Sequence, residues 1–278
     1  MKNHIIYIAI ALLITSCNTK TKEVSWQHAN TTKLDGVNPI GITINNEGTW
    51  LSDGDHNRLV LINKEGEIVR TIDSLERPMH IASTEKEILI PQYGNDQITI
   101  IKGDNHSNLI LNDSLDAPAG VAVYRNEKAI ADFYNNRILY SADSGNYISF
   151  GTEGKGEGEL YYPTDVHITK EYIWVADAYN NRIQVFDKEG KFKMMIGEDQ
   201  KMNAATGIFV SDKEVFITDF ENSRVLVFTL EGVLKQVLET AIKKPTDVLV
   251  KKKKLYITNY RTSELTIYEL KPTESTKS

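Results

Sequence analysis

Three observations predict an all-β fold built as a closed ring of six four-stranded units. A pattern recurs about every 40 residues, its internal spacing holds in six copies, and the sixth copy lacks a fourth strand that a segment near the N-terminus has the length to supply. The period is set by Pro39, Pro78, Pro118, Pro163, Ala205 in place of proline, and Pro245. Fourteen residues after each stands Asp53, Gln92, Asp132, Asp177, Asp219 or Asn259, and five further on come Arg58, Gln97, Arg137, Arg182, Arg224 and Glu264. Length variation is confined to the connections, as expected when each copy is one supersecondary unit packed on its neighbours.

Each copy divides into four short apolar runs separated by charged or turn-forming residues. In the fourth copy the strands are expected at Asp165–Thr169, Tyr172–Asp177, Arg182–Asp187 and Phe192–Gly197. The sixth copy runs out at Leu270 after three strands, while Ser25–Leu34 precedes the first copy. Pairing these two ends removes the exposed edges that an open array would carry. The predicted architecture is therefore a six-bladed β-propeller over residues 25–270, followed by a disordered tail at 271–278.

Pro163-Thr-Asp-Val followed by W-V-A-D-A-Y-N-N-R-I-Q-V-F, ending at Phe186, resembles the NHL-repeat family. The connection FGTEGKGEGELYYP, from Phe150 to Pro163, is similar to the glycine-rich link between NHL repeats. The resemblance covers nearly the whole chain after residue 25, most closely in the third, fourth and fifth copies and less closely in the second and sixth.

The N-terminal residues have a different character. Lys2 is followed by an apolar run from Ile5 to Ile14, too short to span a bilayer and laid out like a secretory signal. Ile14-Thr15-Ser16-Cys17 resembles the bacterial lipobox, which implies a signal peptide over 1–17, lipidation of Cys17 and a lipid-anchored envelope protein facing the periplasm or the cell surface. Cys17 is the only cysteine, so the rest of the chain has neither a disulfide nor a thiol-based metal site. Residues 18–24 read as a polar tether.

The Asp and Arg spaced five apart are expected to face each other across a tight turn as a charge-assisted pair. Both charges are lost together in the second copy, at Gln92 and Gln97, and again in the sixth, at Asn259 and Glu264. Paired loss marks packing partners, not independent catalysts.

Two other sets of residues are candidates for function. Two positions after the leading proline the copies carry Gly41, His80, Gly120, Asp165, Gly207 and Asp247, so polar side chains alternate with glycine around the ring. His80, Asp165 and Asp247 either hold a divalent cation in the central channel or satisfy backbone donors at strand starts, and His167 is spaced to point the same way as Asp165. No other cofactor is implied.

The second set follows the second strand of each copy: Tyr93, Phe133, Phe220 and Tyr260, with Tyr134, Tyr179 and Arg261 one step further. Turns favour small polar residues, so these rings need an explanation. They serve either as plugs between blades or as an adhesive upper rim for a protein, peptide or glycan. The run from Lys251 to Lys254 falls in a turn on the opposite face and reads as solvated.

The chain has no G-x-S-x-G elbow and no H-E-x-x-H, which favours a binding or scaffold protein over an enzyme. The alternative is a metal-dependent lyase or hydrolase, because propellers similar to NHL proteins include peptide-amidating lyases and calcium-dependent lactonases. In such lyases the resemblance implies a histidine beside the leading proline in several blades. Here Ile40, Met79, Ala119, Thr164, Thr206 and Thr246 occupy those places. A net charge of −6 and a pI near 5.6 argue against nucleic acid, which some NHL domains bind.

Overall fold

The computed structural model describes residues 23–143 and 145–273. Cys17, the apolar run before it, most of the tether and residues 274–278 lie outside the described residues. The described chain forms six antiparallel four-stranded sheets arranged as the blades of a propeller. In the fourth blade the strands are Pro163–Ile168, Ile173–Asp177, Arg182–Phe186 and Phe192–Ile196, from the channel outward. The inner strand starts two residues earlier than the sequence pattern predicts, because Pro163 already pairs with Asp177 before a bulge at the next residue.

Every second strand is sandwiched between neighbouring blades, so Ile173–Asp177 is buried throughout and reads as a continuous apolar run. Outer strands are more exposed, and Leu234–Leu238 alternates between a covered and an open face. Six hydrophobic clusters fill the layers between the blades, and each draws on two adjacent blades. One joins the first blade to the sixth through Ile42, Leu51, Val60 and Leu265, which closes the ring.

Closure also uses the two ends of the described chain. Val24–Lys33 pairs antiparallel with Glu264–Pro272 and supplies the outer strand of the sixth blade, so Val24, Lys271 and Pro272 belong to the sheet and not to the expected tether and tail. Trp26 fastens that strand to the fifth blade. Its ring packs edge-on against Phe216 at 5.4 Å, its indole N–H donates to Glu214 Oε2 at 3.0 Å, and its backbone is bracketed by the Gln236 amide.

The repeated polar residues turn out to be joinery. Asp53, Asp132, Asp177 and Asp219 are fully buried and accept from the Nε of Arg58, Arg137, Arg182 and Arg224 at 2.6–2.9 Å. The other carboxylate oxygen accepts a backbone N–H from the incoming connection, for example Tyr161 N to Asp177 Oδ1 at 2.7 Å. Gln92 and Asn259 keep that second bond, from Glu76 N at 2.6 Å and Lys243 N at 2.8 Å. Their amide groups donate to Thr99 and Thr266 in place of meeting an arginine. The acceptor is thus kept in all six copies, and in the two copies without the charge a threonine two residues beyond the Arg position takes the amide's hydrogen bond.

The residue before each Arg position adopts a left-handed conformation and ties one blade to the next. Asn136, at φ 52°, accepts from Tyr162 N at 2.8 Å, and Asn181, at φ 58°, accepts from Ala204 N at 2.8 Å. Asparagine suits this place because it tolerates positive φ and carries an acceptor.

Replacing Trp26 with alanine removes the principal ring-to-ring contact of the closing strand. We expect Trp26→Ala to cost about 3–5 kcal/mol, read as a lower midpoint in urea, with the strands near Val24 and Pro272 losing amide protection before the other blades.

Candidate functional site

The inner strands approach one another closely around the channel. A Cβ added at Gly41, Gly120 or Gly207 would lie 2.5–2.7 Å from a carbonyl oxygen of the next blade and 2.8 Å from the Cα of His80, Asp165 or Asp247. Glycine at alternate blades is therefore a steric requirement, and it leaves room for a side chain on each of the other three. One level above, Thr164, Thr206 and Thr246 donate to Thr206 O, Thr246 O and Pro39 O at 2.9–3.1 Å, lacing successive inner strands together.

The alternation brings His80, Asp165 and Asp247 together. Their candidate ligand atoms all lie within 4.8 Å of one another, and the three residues are only 3–6% exposed. His80 Nδ1 stands 3.6 Å from Asp247 Oδ2 and 3.8 Å from Asp165 Oδ2, beyond hydrogen-bond length from both. Each carboxylate is fixed by two backbone donors. Asp165 accepts from Val166 N at 2.8 Å and from Ile208 N of the next blade at 2.9 Å. Asp247 accepts from Val248 N at 2.7 Å and from Ile42 N of the first blade at 2.8 Å. Satisfying strand-start donors is thus part of what both carboxylates do, though it leaves the histidine unexplained.

Burial pushes the Asp165 carboxyl up to about 7, against the pull of the His80 charge, with Asp247 adding to the rise. Burial works to lower His80, but the charges of Asp165 and Asp247 outweigh it and hold the imidazole above its ordinary value. His167 lies outside this cluster. It lines a cavity of about 160 Å³ in the channel below Asp165 and Asp247, packs against Phe209 at 4.9 Å, and is pushed down to about 4 by burial.

The upper-face residues divide into two groups. Tyr93, Phe133, Tyr134 and Tyr179 join Tyr161 and Tyr162 in one continuous aromatic patch over the second, third and fourth blades. Phe133 sits at its centre, stacked on Tyr162 with centroids 4.8 Å apart and planes 10° from parallel. Phe133 is half-buried, whereas Tyr134 and Tyr179 are 48% and 58% exposed. Plug and rim thus coexist within one patch. Tyr161 and Tyr162 precede the leading proline, not the turn, so the repeat alone does not single them out; the aromatic doublet at the mouth of that connection is the signal in the sequence.

Phe220, Tyr260 and Arg261 stand apart, and among the described residues no ring contact joins them to the patch. Lys244 lies over the Phe220 ring, Arg261 over Tyr260, and the Tyr260 hydroxyl donates to Asp55 of the first blade at 2.7 Å. These three make contacts within and between blades, which for them favours the plug over the rim. On the lower face, turns of the fourth and fifth blades enclose a cavity of about 760 Å³ lined by Tyr172, Trp174, Met194 and Leu230. Lys252 and Lys253 form the turn of the last blade there, both at positive φ.

No family model matches the chain. Short segments are similar to curated proteins: 59% identity over 46 residues with the E3 ubiquitin-protein ligase TRIM71 of Rattus norvegicus, and 42% over 59 residues with the protein brain tumor of Drosophila melanogaster. These matches cover 16% and 21% of this chain and span only 5% and 6% of those proteins. Among solved structures, virginiamycin B lyase from Staphylococcus aureus superposes with a TM-score of 0.65 at 15% identity, covering 90% of this chain and 100% of that one. A structural genomics protein of unknown function from Bacteroides thetaiotaomicron superposes with a TM-score of 0.68 at 12% identity, covering 89% and 72%. At such identities the likeness shows the six-bladed fold alone.

The steric reading of the ring has a direct test. Gly207→Ala places a methyl group against Thr246 O and the Asp247 Cα. We expect a loss of about 1–3 kcal/mol, measured by thermal unfolding, from the smallest side chain that can be added; a neutral substitution would refute the close approach.

Proposed function

We propose that this propeller is a binding module of the bacterial cell envelope that grips a polypeptide segment through the aromatic patch on its upper face. The observation that carries the reading is the patch itself: six rings from three consecutive blades in mutual contact, with Tyr134 and Tyr179 projecting into solvent. Exposed aromatic side chains on turns are costly unless they meet a partner, and tyrosine is among the residues that dominate protein interfaces. Half-buried Phe133 and Tyr162 supply a rigid floor, so the outer rings lose little conformational freedom on binding.

The catalytic alternative is less well supported. His80, Asp165 and Asp247 are nearly inaccessible, and the patch carries no nucleophile with an adjacent base. The similarity to ubiquitin-protein ligases bears on a polypeptide partner only through the shared repeat, since it spans 5% of those chains.

Anchoring belongs to the same proposal. Cys17 ends an apolar run in a lipobox-like context, and only a few polar residues separate it from the strand beginning at Val24. A lipid there would hold the propeller near the membrane surface on a short tether.

Two experiments test these statements. Selection of ligands from a random peptide library and from a glycan array should yield peptides whose binding weakens at least about tenfold in Tyr134→Ala/Tyr179→Ala. The melting temperature should stay nearly constant, because both side chains are exposed. Unchanged peptide binding in the variant, or recovery of glycans alone, would overturn the reading. Cys17→Ser should move the protein from the detergent phase to the aqueous phase with the propeller still folded; unchanged partitioning would remove the anchor.

A further inference from the structure

His80 Nδ1 is a buried polar atom without a hydrogen-bond partner, and it faces two carboxylate oxygens. Buried donors and acceptors left unpaired are rare because each forfeits its hydration for nothing in return. A shared proton would draw the imidazole toward one carboxylate to less than about 3.2 Å. Instead the nitrogen stands almost equally far from both, at 3.6 and 3.8 Å. Such a gap suits an atom between the three groups.

We propose that His80 Nδ1, Asp165 Oδ2 and Asp247 Oδ2 bind a first-row divalent cation, zinc foremost, in the central channel. Zinc bonds of about 2.0–2.2 Å in tetrahedral geometry place neighbouring ligand atoms roughly 3.4 Å apart. The two imidazole–carboxylate separations, 3.6 and 3.8 Å, need only a few tenths of an ångström of adjustment, and all three ligand atoms lie within 4.8 Å of one another. One imidazole and two carboxylates favour zinc or a similar ion over calcium and magnesium, which prefer oxygen alone. The cation would also neutralise carboxylates that burial otherwise disfavours.

The outer shell of the site is already in place. Ile42 N and Ile208 N hold the two Oδ2 atoms, while Val166 N and Val248 N hold the two Oδ1 atoms, so both carboxylates are oriented without using all their lone pairs. The cavity of about 160 Å³ that Asp165 and Asp247 line has room for water to complete the coordination. Because the three residues belong to the second, fourth and sixth blades, the ion joins alternate blades across the axis and its binding energy adds to the stability of the ring.

The test uses the full chain with zinc chloride as the probe. Protein stripped with a chelator and dialysed against zinc should retain about one equivalent, and saturating zinc should raise the melting temperature by about 5 °C or more. Asp247→Asn and His80→Ala should each abolish both the retained zinc and the thermal shift. Cobalt(II) added to the wild-type protein should give the visible bands of a low-symmetry nitrogen and oxygen site, a readout that holds even if a variant fails to fold. Substoichiometric zinc with no thermal shift and no cobalt bands would overturn the proposal. So would a full equivalent of zinc kept by both variants, or a shift produced by calcium and not by zinc.

Discussion

The structure depends on how narrowly six inner strands can meet around one axis. At the level of Gly41 and Gly207 the next blade's backbone leaves no space for a methyl group, with carbonyl oxygens 2.5–2.6 Å from where a Cβ would be. Six side chains cannot share that level, but three can if the other blades carry glycine. From this constraint follow the alternation in the sequence, the convergence of His80, Asp165 and Asp247, and the carboxylate bonds to Ile42 N and Ile208 N of the adjoining blades. A histidine cannot accept as a carboxylate does. Between the second and third blades the backbone itself makes the link, His80 N to Ala119 O at 3.0 Å and Val121 N to His80 O at 3.2 Å.

Away from the axis, the most regular residues are the least available for function. Asp177 is fully buried and shared among Arg182, Asn180, Gln184 and the N–H of Tyr161. Arg182 in turn reaches the carbonyl oxygens of Lys155, Gly156 and Glu159 and so shapes the glycine-rich connection. A charge in such a setting is stabilised by many fixed dipoles, and removing one partner strands the others. In the copies without the pair, glutamine with threonine or asparagine with threonine fills the same acceptor role without a buried charge.

That rigid framework is what allows the turns above it to vary. The second strand ends at the same height in every blade, so the residues that follow are delivered to one face whatever their chemistry. In the second, third and fourth blades they meet the Tyr161–Tyr162 doublet and form a common surface. Around the fifth and sixth blades Phe220, Tyr260 and Arg261 meet Lys244 and Asp55 and are drawn into local contacts. The upper face is therefore asymmetric although the scaffold is not, and its aromatic half supports the binding function proposed for it.

By itself the sequence determined the number of blades, the four-strand plan of a blade, the closure of the ring by the N-terminal strand and the architectural role of the Asp and Arg pairs. Constant spacing imposes the same backbone geometry on each copy, and the paired losses at Gln92/Gln97 and Asn259/Glu264 report a contact without any coordinates. It also placed His80, Asp165 and Asp247 at one level. Only the tertiary structure decided that His80 Nδ1 is left without a partner between the carboxylates, that His167 faces the cavity below them, and that Tyr161 and Tyr162 complete a patch which Phe220 and Tyr260 do not share. The reason is physical. A repeat specifies the blade and the height of a residue, whereas its neighbours across the interface depend on side-chain rotamers and on connections whose lengths the repeat leaves free.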